Sequence, residues 1–358
     1  PSDNIIQNSI HNLLLSDQDI AFVEPDMLRL MKRLSTNDPA MTYQWSLNNT
    51  GSSLQYNGIV GEDMNVFPAW NTTTGSSSIK VAVLDEGVDL VHPDLLANLL
   101  PGYDAFGLTA GAPINDDAHG TACAGIIASV GNNNLGTAGV AYNCKIIPVR
   151  IAYSNAAGNW VTTSSGIGGA ITWAWQTAGA DILSNSWGGG SPTSLISVPF
   201  ANATNLGRGG LGAPVLAAAG NSNVTTAHYP SSYSEVISVA AMSMCGQRKS
   251  PTSCDGETWW GSNYGPDTDV AAPGVKIYAT DISGPSGYSS GDYVPTFNGT
   301  SSACPNAAGV MALVLSANLS LTESEARTIL ENTAEKAGGY SYTANPNKPS
   351  STWSNDLG

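Results

Sequence analysis

The chain has 358 residues, of which 42% are hydrophobic and only 11% charged, well below the roughly 25% charge of ordinary globular domains. Thirteen Lys and Arg against 28 Asp and Glu leave a net charge of −15. That balance excludes the basic face a nucleic-acid partner requires, and no run reaches the roughly 18–20 apolar residues of a membrane-spanning helix. Residues 1–35 differ from the rest. Leu13-Leu14-Leu15 and Ile20-Ala21-Phe22-Val23 read as a helix end and a strand, and Arg29, Lys32 and Arg33 gather three of the thirteen cations. The turn cluster Ser35 to Pro39 sets a boundary there.

Beyond Tyr43 the pattern alternates. Residues 79–84, 146–151, 181–186, 214–219 and 236–240 are short apolar strands. Helix-like stretches at 120–130, 164–178, 193–207 and 302–317 lie between and after them. Alternation of this kind predicts an α/β fold built on a parallel, doubly wound sheet buried on both faces. Ligands of such sheets sit beyond the carboxyl ends of the strands. The five cysteines are Cys123, Cys144, Cys245, Cys254 and Cys304. An odd count leaves at least one free thiol, and the lack of a CxxC pair argues against structural zinc. Cys245 and Cys254 flank a turn-rich stretch with Gly246, Pro251 and Ser253 and are expected to form a disulfide.

Three segments carry candidate chemistry. Asp85-Glu86-Gly87 ends the first apolar strand, His119-Gly120-Thr121 opens a run of small residues, and Gly299-Thr300-Ser301 precedes an apolar helix with Pro305 in its expected first turn. Ser301 then lies at a helix N-terminus, where free N–H groups favour an oxyanion. Each segment alone also reads as a turn or a cap. Together, in the order Asp, His, Ser, they resemble the subtilisin-like serine proteases (subtilases), whose chain order is a known pattern. Ser184-Asn185-Ser186-Trp187-Gly188 resembles the family's substrate-pairing strand, and Ala217-Ala218-Ala219-Gly220-Asn221 the strand ending in its oxyanion asparagine. The likeness covers roughly residues 36–358.

The resemblance implies a three-layer subtilisin-like fold and a secreted endopeptidase acting on protein or peptide substrates through an acyl-enzyme, as a monomer. Ser301 would be the nucleophile, His119 the base and Asp85 its orienting partner, with Asn221 and the Ser301 N–H holding the oxyanion. Ser186, Trp187 and Gly188 would form one wall of the P1 pocket and Ala217, Ala219 and Gly220 the other. His228 would lie near its floor, and Gly158 on the opposite substrate-pairing strand. Gly188-Gly189-Gly190-Ser191-Pro192 carries no acid, which implies a broad or apolar P1 preference rather than dibasic processing. Cys123 would be free and buried near His119, and Glu86, where relatives carry smaller residues or Asp, is expected to face solvent.

The resemblance further implies structural calcium, held by Gln44, Asp94 and Asn133 with carbonyls of Gly131, Leu135 and Thr137. Residues 1–35 resemble the rear of a propeptide that would inhibit the enzyme. Residues 36–358 would be the catalytic domain, expected to stop just before the family's final stretch. A transpeptidase or macrocyclase and a catalytically silent binding module are the competing readings. The first usually needs a helical lid, of which the sequence shows no insertion. The intact Asp85, His119, Asn221 and Ser301 oppose the second.

Overall fold

Short, β-branched strands with almost no polar positions can only be stable when both faces are covered. The computed structural model, which describes residues 35–344 and 353–358, shows that arrangement. The strands are β1 (Lys80–Asp85), β2 (Tyr103–Asp104), β3 (Lys145–Arg150), β4 (Tyr153–Ser154), β5 (Trp160–Val161), β6 (Ile182–Asn185), β7 (Val215–Ala218), β8 (Ile237–Met242), β9 (Val270–Pro273), β10 (Ile277–Thr280) and β11 (Tyr293–Phe297). Seven form one sheet in the order β2-β3-β1-β6-β7-β8-β9, with every pairing parallel. β4–β5 and β10–β11 are separate antiparallel pairs.

The helices are α1 (Val66–Trp70), α2 (His119–Ala128), α3 (Ser164–Thr172), α4 (Ser194–Gly210), α5 (Thr300–Ala317) and α6 (Glu323–Thr333). Strand alternation sorts the core into two halves. Val81 and Val83 of β1 face one half together with α2 and α5 residues such as Ile127, Ala303 and Met311. Ala82 and Leu84 face the other, with Ile167 and Ile171 of α3 and Phe200 of α4. The result is the three-layer α/β fold expected from the sequence.

Differences from the expected boundaries have local causes. The 164–178 stretch is α-helical to Thr172 and continues as a π-turn over Trp173–Thr177. α5 starts at Thr300, two residues earlier than expected, so Pro305 lies in its second turn and not its first. The helix tolerates this because the carbonyl that Pro305 cannot serve, that of Ser301, accepts from Ser186 Oγ at 2.9 Å and Cys123 Sγ at 3.5 Å. α6 was not among the expected elements, although Thr322 and Glu325 form its capping box. The described residues belong to one compact unit, Ser35–Gly358. The propeptide-like segment, residues 1–34, lies outside the described residues.

Cys245 and Cys254 form a disulfide, and Cys123, Cys144 and Cys304 are free and buried. The bridge closes a short loop with a separation of nine residues, worth about 2–3 kcal/mol on loop-closure grounds. Replacing both cysteines with serine should therefore lower the unfolding free energy by about that amount in denaturant titrations. An unchanged midpoint would show that the bridge adds nothing to stability.

Candidate active site

The doubly wound order brings chemistry to the carboxyl edge of the sheet, beside β1, where the strand order reverses. β1 delivers Asp85, which is fully buried. α2 starts directly above it. The helix comes this close because residue 120 is glycine: a Cβ there would stand 2.2 Å from the Gly87 carbonyl oxygen and 2.9 Å from Asp85 Cβ. His119 Nδ1 consequently faces both Asp85 oxygens, at 2.9 and 3.0 Å. The imidazole side chain stays 21% exposed, with Phe297 edge-on at 5.2 Å and Trp160 at 6.4 Å. Burial pulls the imidazole pKa down. The Asp85 carboxylate, aided by Cys123 and Tyr288, outweighs it, so the net pKa lies well above the ordinary histidine value.

Ser301 is the second residue of α5. Its Oγ donates to the Ser186 carbonyl oxygen at 3.1 Å, while Ser186 Oγ donates back to the Ser301 carbonyl. Cys123 Sγ lies 3.8 Å from His119 Nδ1 and donates to that same carbonyl. His119 and Ser301 thus both contact one buried thiol, and Cys123 is free and near His119 as expected. Asn221 follows the β7 strand end. Its Oδ1 accepts from the Thr300 N–H at 2.8 Å and Thr300 Oγ1 at 3.0 Å, which turns the amide N–H groups away from Thr300. A point one bond from Gly299 Cα, where a Cβ would sit, is 3.2 Å from Asn221 Nδ2 and 3.4 Å from the Ser301 nitrogen. The two donors therefore border the same small space.

The residues expected in the substrate cleft divide between buried and exposed positions. Ser186 is buried against Ser301, and Trp187 is half-buried against the α3–α4 core. Gly188, next along, is exposed. Ala217 and Ala219 are buried, and the turn after them is braced by Asn263, whose side chain donates to the Ala219 carbonyl and accepts from the Ser222 N–H. His228 lies between the two walls: its Cβ is 3.5 Å from where a Gly188 Cβ would be, and its Nδ1 2.8 Å from the Gly220 equivalent. Gly158 is exposed in the turn joining β4 and β5. A cavity of about 460 Å³ lined by Trp45, Met64, Met242, Pro273, Val310 and Leu330 contains none of these residues.

Glu86 departs from expectation. It is buried, at 6% exposure, and not turned to solvent. One oxygen accepts the His119 backbone N–H at 2.8 Å, and the other accepts the Trp160 indole N–H. Burial raises its pKa and the Asp85 carboxylate adds to the rise, against His119 and the two donors. Sequence reading missed the role because a residue beside a strand end gives no sign of which way its side chain turns.

The expected calcium ligands also gather. Asp94 is fully buried and has no basic ion-pair partner among the described residues. Its oxygens accept from Asn133 Nδ2 at 2.7 Å, the Thr137 N–H at 2.9 Å, Tyr293 Oη at 3.2 Å and Thr137 Oγ1 at 3.3 Å. Burial raises its pKa, opposed by these donors. Gln44 pairs its side-chain amide with both backbone groups of Ala138, beside Thr137. Gly131 and Leu135 belong to the same loop, in which the Leu135 N–H donates to Asn133 Oδ1.

A buried Asp–His pair and a helix-borne serine, at the carboxyl edge of a parallel sheet, are the residue types used by hydrolases that work through an activated serine. The comparisons narrow the class. The pattern of the Subtilase family matches residues 76–354, and the chain belongs to that family. It is 35% identical to an extracellular protease of Xanthomonas campestris pv. campestris over 91% of this chain and 57% of the relative. It is 32% identical to a calcium-dependent protease of Nostoc sp. over 98% of this chain and 54% of the relative. Among solved structures, a protease of Pseudoalteromonas arctica PAMC 21717 superposes with a TM-score of 0.69 at 31% identity, covering 84% of this chain and 93% of that one. The chain spans little more than half the length of the first two relatives.

Base catalysis requires a neutral His119. Because its pKa is raised in the folded protein, kcat/KM should fall as pH drops through a value above the ordinary histidine pKa of about 6.5. Asp85→Asn removes the main cause of the rise and should move that acid limb downward, besides cutting turnover by about 10⁴-fold as in related triads. A pH–rate profile with its acid limb at or below about 6.5 in the parent protein would contradict this electrostatic reading.

Proposed function

We propose that the chain is the catalytic domain of a secreted serine endopeptidase with broad or apolar P1 preference. The observation that carries the reading is the Asp85–His119 pair linked through Cys123 to the backbone of Ser301, whose own nitrogen borders one small space with Asn221 Nδ2. Ser301 Oγ turns from the Ser186 carbonyl toward His119 and attacks the scissile carbonyl carbon, its proton passing to His119 Nε2. Asn221 Nδ2 and the Ser301 N–H take the oxyanion. Collapse of the tetrahedral species breaks the C–N bond, and His119 returns the proton to the leaving amine. Water then repeats the sequence on the acyl-enzyme. Substrate backbone pairs with Ser186–Gly188 on one side and with β5 on the other. The absence of acidic side chains from 188–192 supports an uncharged P1. The name of the Xanthomonas relative supports secretion. Residues 1–35 fit the rear of an inhibitory propeptide in this reading.

Ser301→Ala should abolish peptide hydrolysis and labelling by a fluorophosphonate while leaving the thermal transition in place. Asn221→Ala should lower kcat by about 10²–10³-fold, the loss found for the equivalent donor in subtilisin, a member of this family. Hydrolysis that survives Ser301→Ala would refute the assignment.

Calcium belongs to the same proposal. A buried carboxylate with only neutral partners, in a loop rich in amide and hydroxyl oxygens, suits a hard cation, and the Nostoc relative is named for calcium dependence. Asp94, Asn133, Thr137 and Gln44 would hold the ion, with the Asn133 amide turned to present its oxygen. Bound calcium would lock the 131–137 loop against Asp94. Excess chelator should then lower the melting temperature by several degrees through mass action, and Asp94→Asn should remove that sensitivity. An identical melting curve with and without chelator would remove calcium from this loop.

A further inference from the structure

Two buried carboxylates flank the start of α2 without belonging to the triad. Glu86 takes the His119 backbone N–H with one oxygen and the Trp160 indole N–H with the other. Asp117, 3% exposed, accepts the Ser154 N–H with both oxygens, at 3.2 and 3.0 Å. Ser154 and Trp160 are cross-strand partners in the β4–β5 hairpin. The hairpin is therefore fastened to the head of the catalytic helix from both strands, at one register position. The arrangement also serves the helix. The residue before it, Ala118, has no side chain able to cap, so the His119 N–H, one of the orphan donors of a first turn, finds its acceptor in Glu86. Trp160 is 37% exposed, and its ring stands edge-to-face to His119.

We propose that Glu86 is a positioning residue that fixes Trp160, and with it strand β5, beside His119. The proposal rests on the endopeptidase reading. A merely structural carboxylate would affect stability and turnover together. A positioning one acts on substrate binding through Trp160, so the two residues behave as a unit.

The test uses steady-state kinetics of the purified chain on peptides long enough to lie along the hairpin. Glutamine offers one acceptor oxygen, so Glu86→Gln can serve His119 or Trp160 but not both. Trp160→Phe keeps a ring and removes the donor. Each variant should raise KM about tenfold, the equivalent of one charge-assisted hydrogen bond, with a smaller fall in kcat. The double variant should be no worse than the more damaged single one. Each should still take a fluorophosphonate label. Losses that add, or a KM that does not move, overturn the role of Glu86. Should Glu86→Gln fail to fold, Trp160→Phe decides alone, and an unchanged KM overturns the proposal. A parent protein that takes no label at Ser301 overturns the endopeptidase reading instead.

Discussion

The cleft depends on one carbonyl. Pro305 has no N–H, so the Ser301 carbonyl, four residues earlier, is released from the helix ladder. It is taken up by Ser186 Oγ at the end of β6 and by Cys123 Sγ on α2. A strand and two helices thereby meet at the backbone of Ser301. The small residues on the facing helix surfaces, Ala122 and Cys123 on α2 and Ala303 and Ala307 on α5, let the helices approach. Cys123 is inseparable from this joint. It touches His119 on one side and the Ser301 carbonyl on the other, and burial raises its thiol pKa, with Asp85 adding to the rise and His119 opposing it. In such a site the thiol is a packing and hydrogen-bonding group, not a nucleophile.

The acidic composition is managed mostly by backbone. With 13 cations for 28 acids, not every carboxylate can have an ion-pair partner of its own. Asp104 is one that does. Burial pushes its carboxyl up, but Arg150 and the N–H groups of Phe106, Leu108 and Thr109 hold it at about 2. Lys249 with Asp255 and Arg327 with Asp269 are others. Elsewhere the partners are N–H groups. Asp281 accepts from Ile282, Tyr288 and Ser289, and Asp89 from Val91 and Ser283. These charge-assisted bonds to backbone are stronger than neutral ones. They order the loops that surround His119 without placing cations near it, which leaves Asp85 as the dominant influence raising its pKa.

The strands and the two central helices were legible because their signals are local: β-branched apolar runs, and glycine just after His119 and two residues before Ser301. The Asp85–His119 contact was expected from the resemblance of three short motifs to one family, since each motif alone reads equally as a turn or a cap. The π-turn after Thr172 was not, since its sequence continues a helical pattern. Nor was the orientation of Glu86, which is decided by a tryptophan 74 residues away whose approach depends on the hairpin register. The 131–137 loop falls between. Its nearness to Asp94 was expected by resemblance, but the turn of Asn133 that faces Asp94 with nitrogen belongs to the tertiary structure.

Glycine at 299 shows how conformational and chemical constraints can select the same residue. Its φ of +115° is one that side-chain-bearing residues rarely adopt, and the turn is what brings Thr300 under Asn221. That is the conformational constraint. The chemical one is separate: any Cβ would press on the space bordered by Asn221 Nδ2 and the Ser301 nitrogen. With ψ at 168°, the residue lies outside the left-handed region that asparagine and aspartate tolerate, in one that is essentially confined to glycine. A Cβ would in addition stand 3.2 Å from Asn221 Nδ2 and 3.4 Å from the Ser301 nitrogen, so the turn and the space beside Asn221 select the same residue.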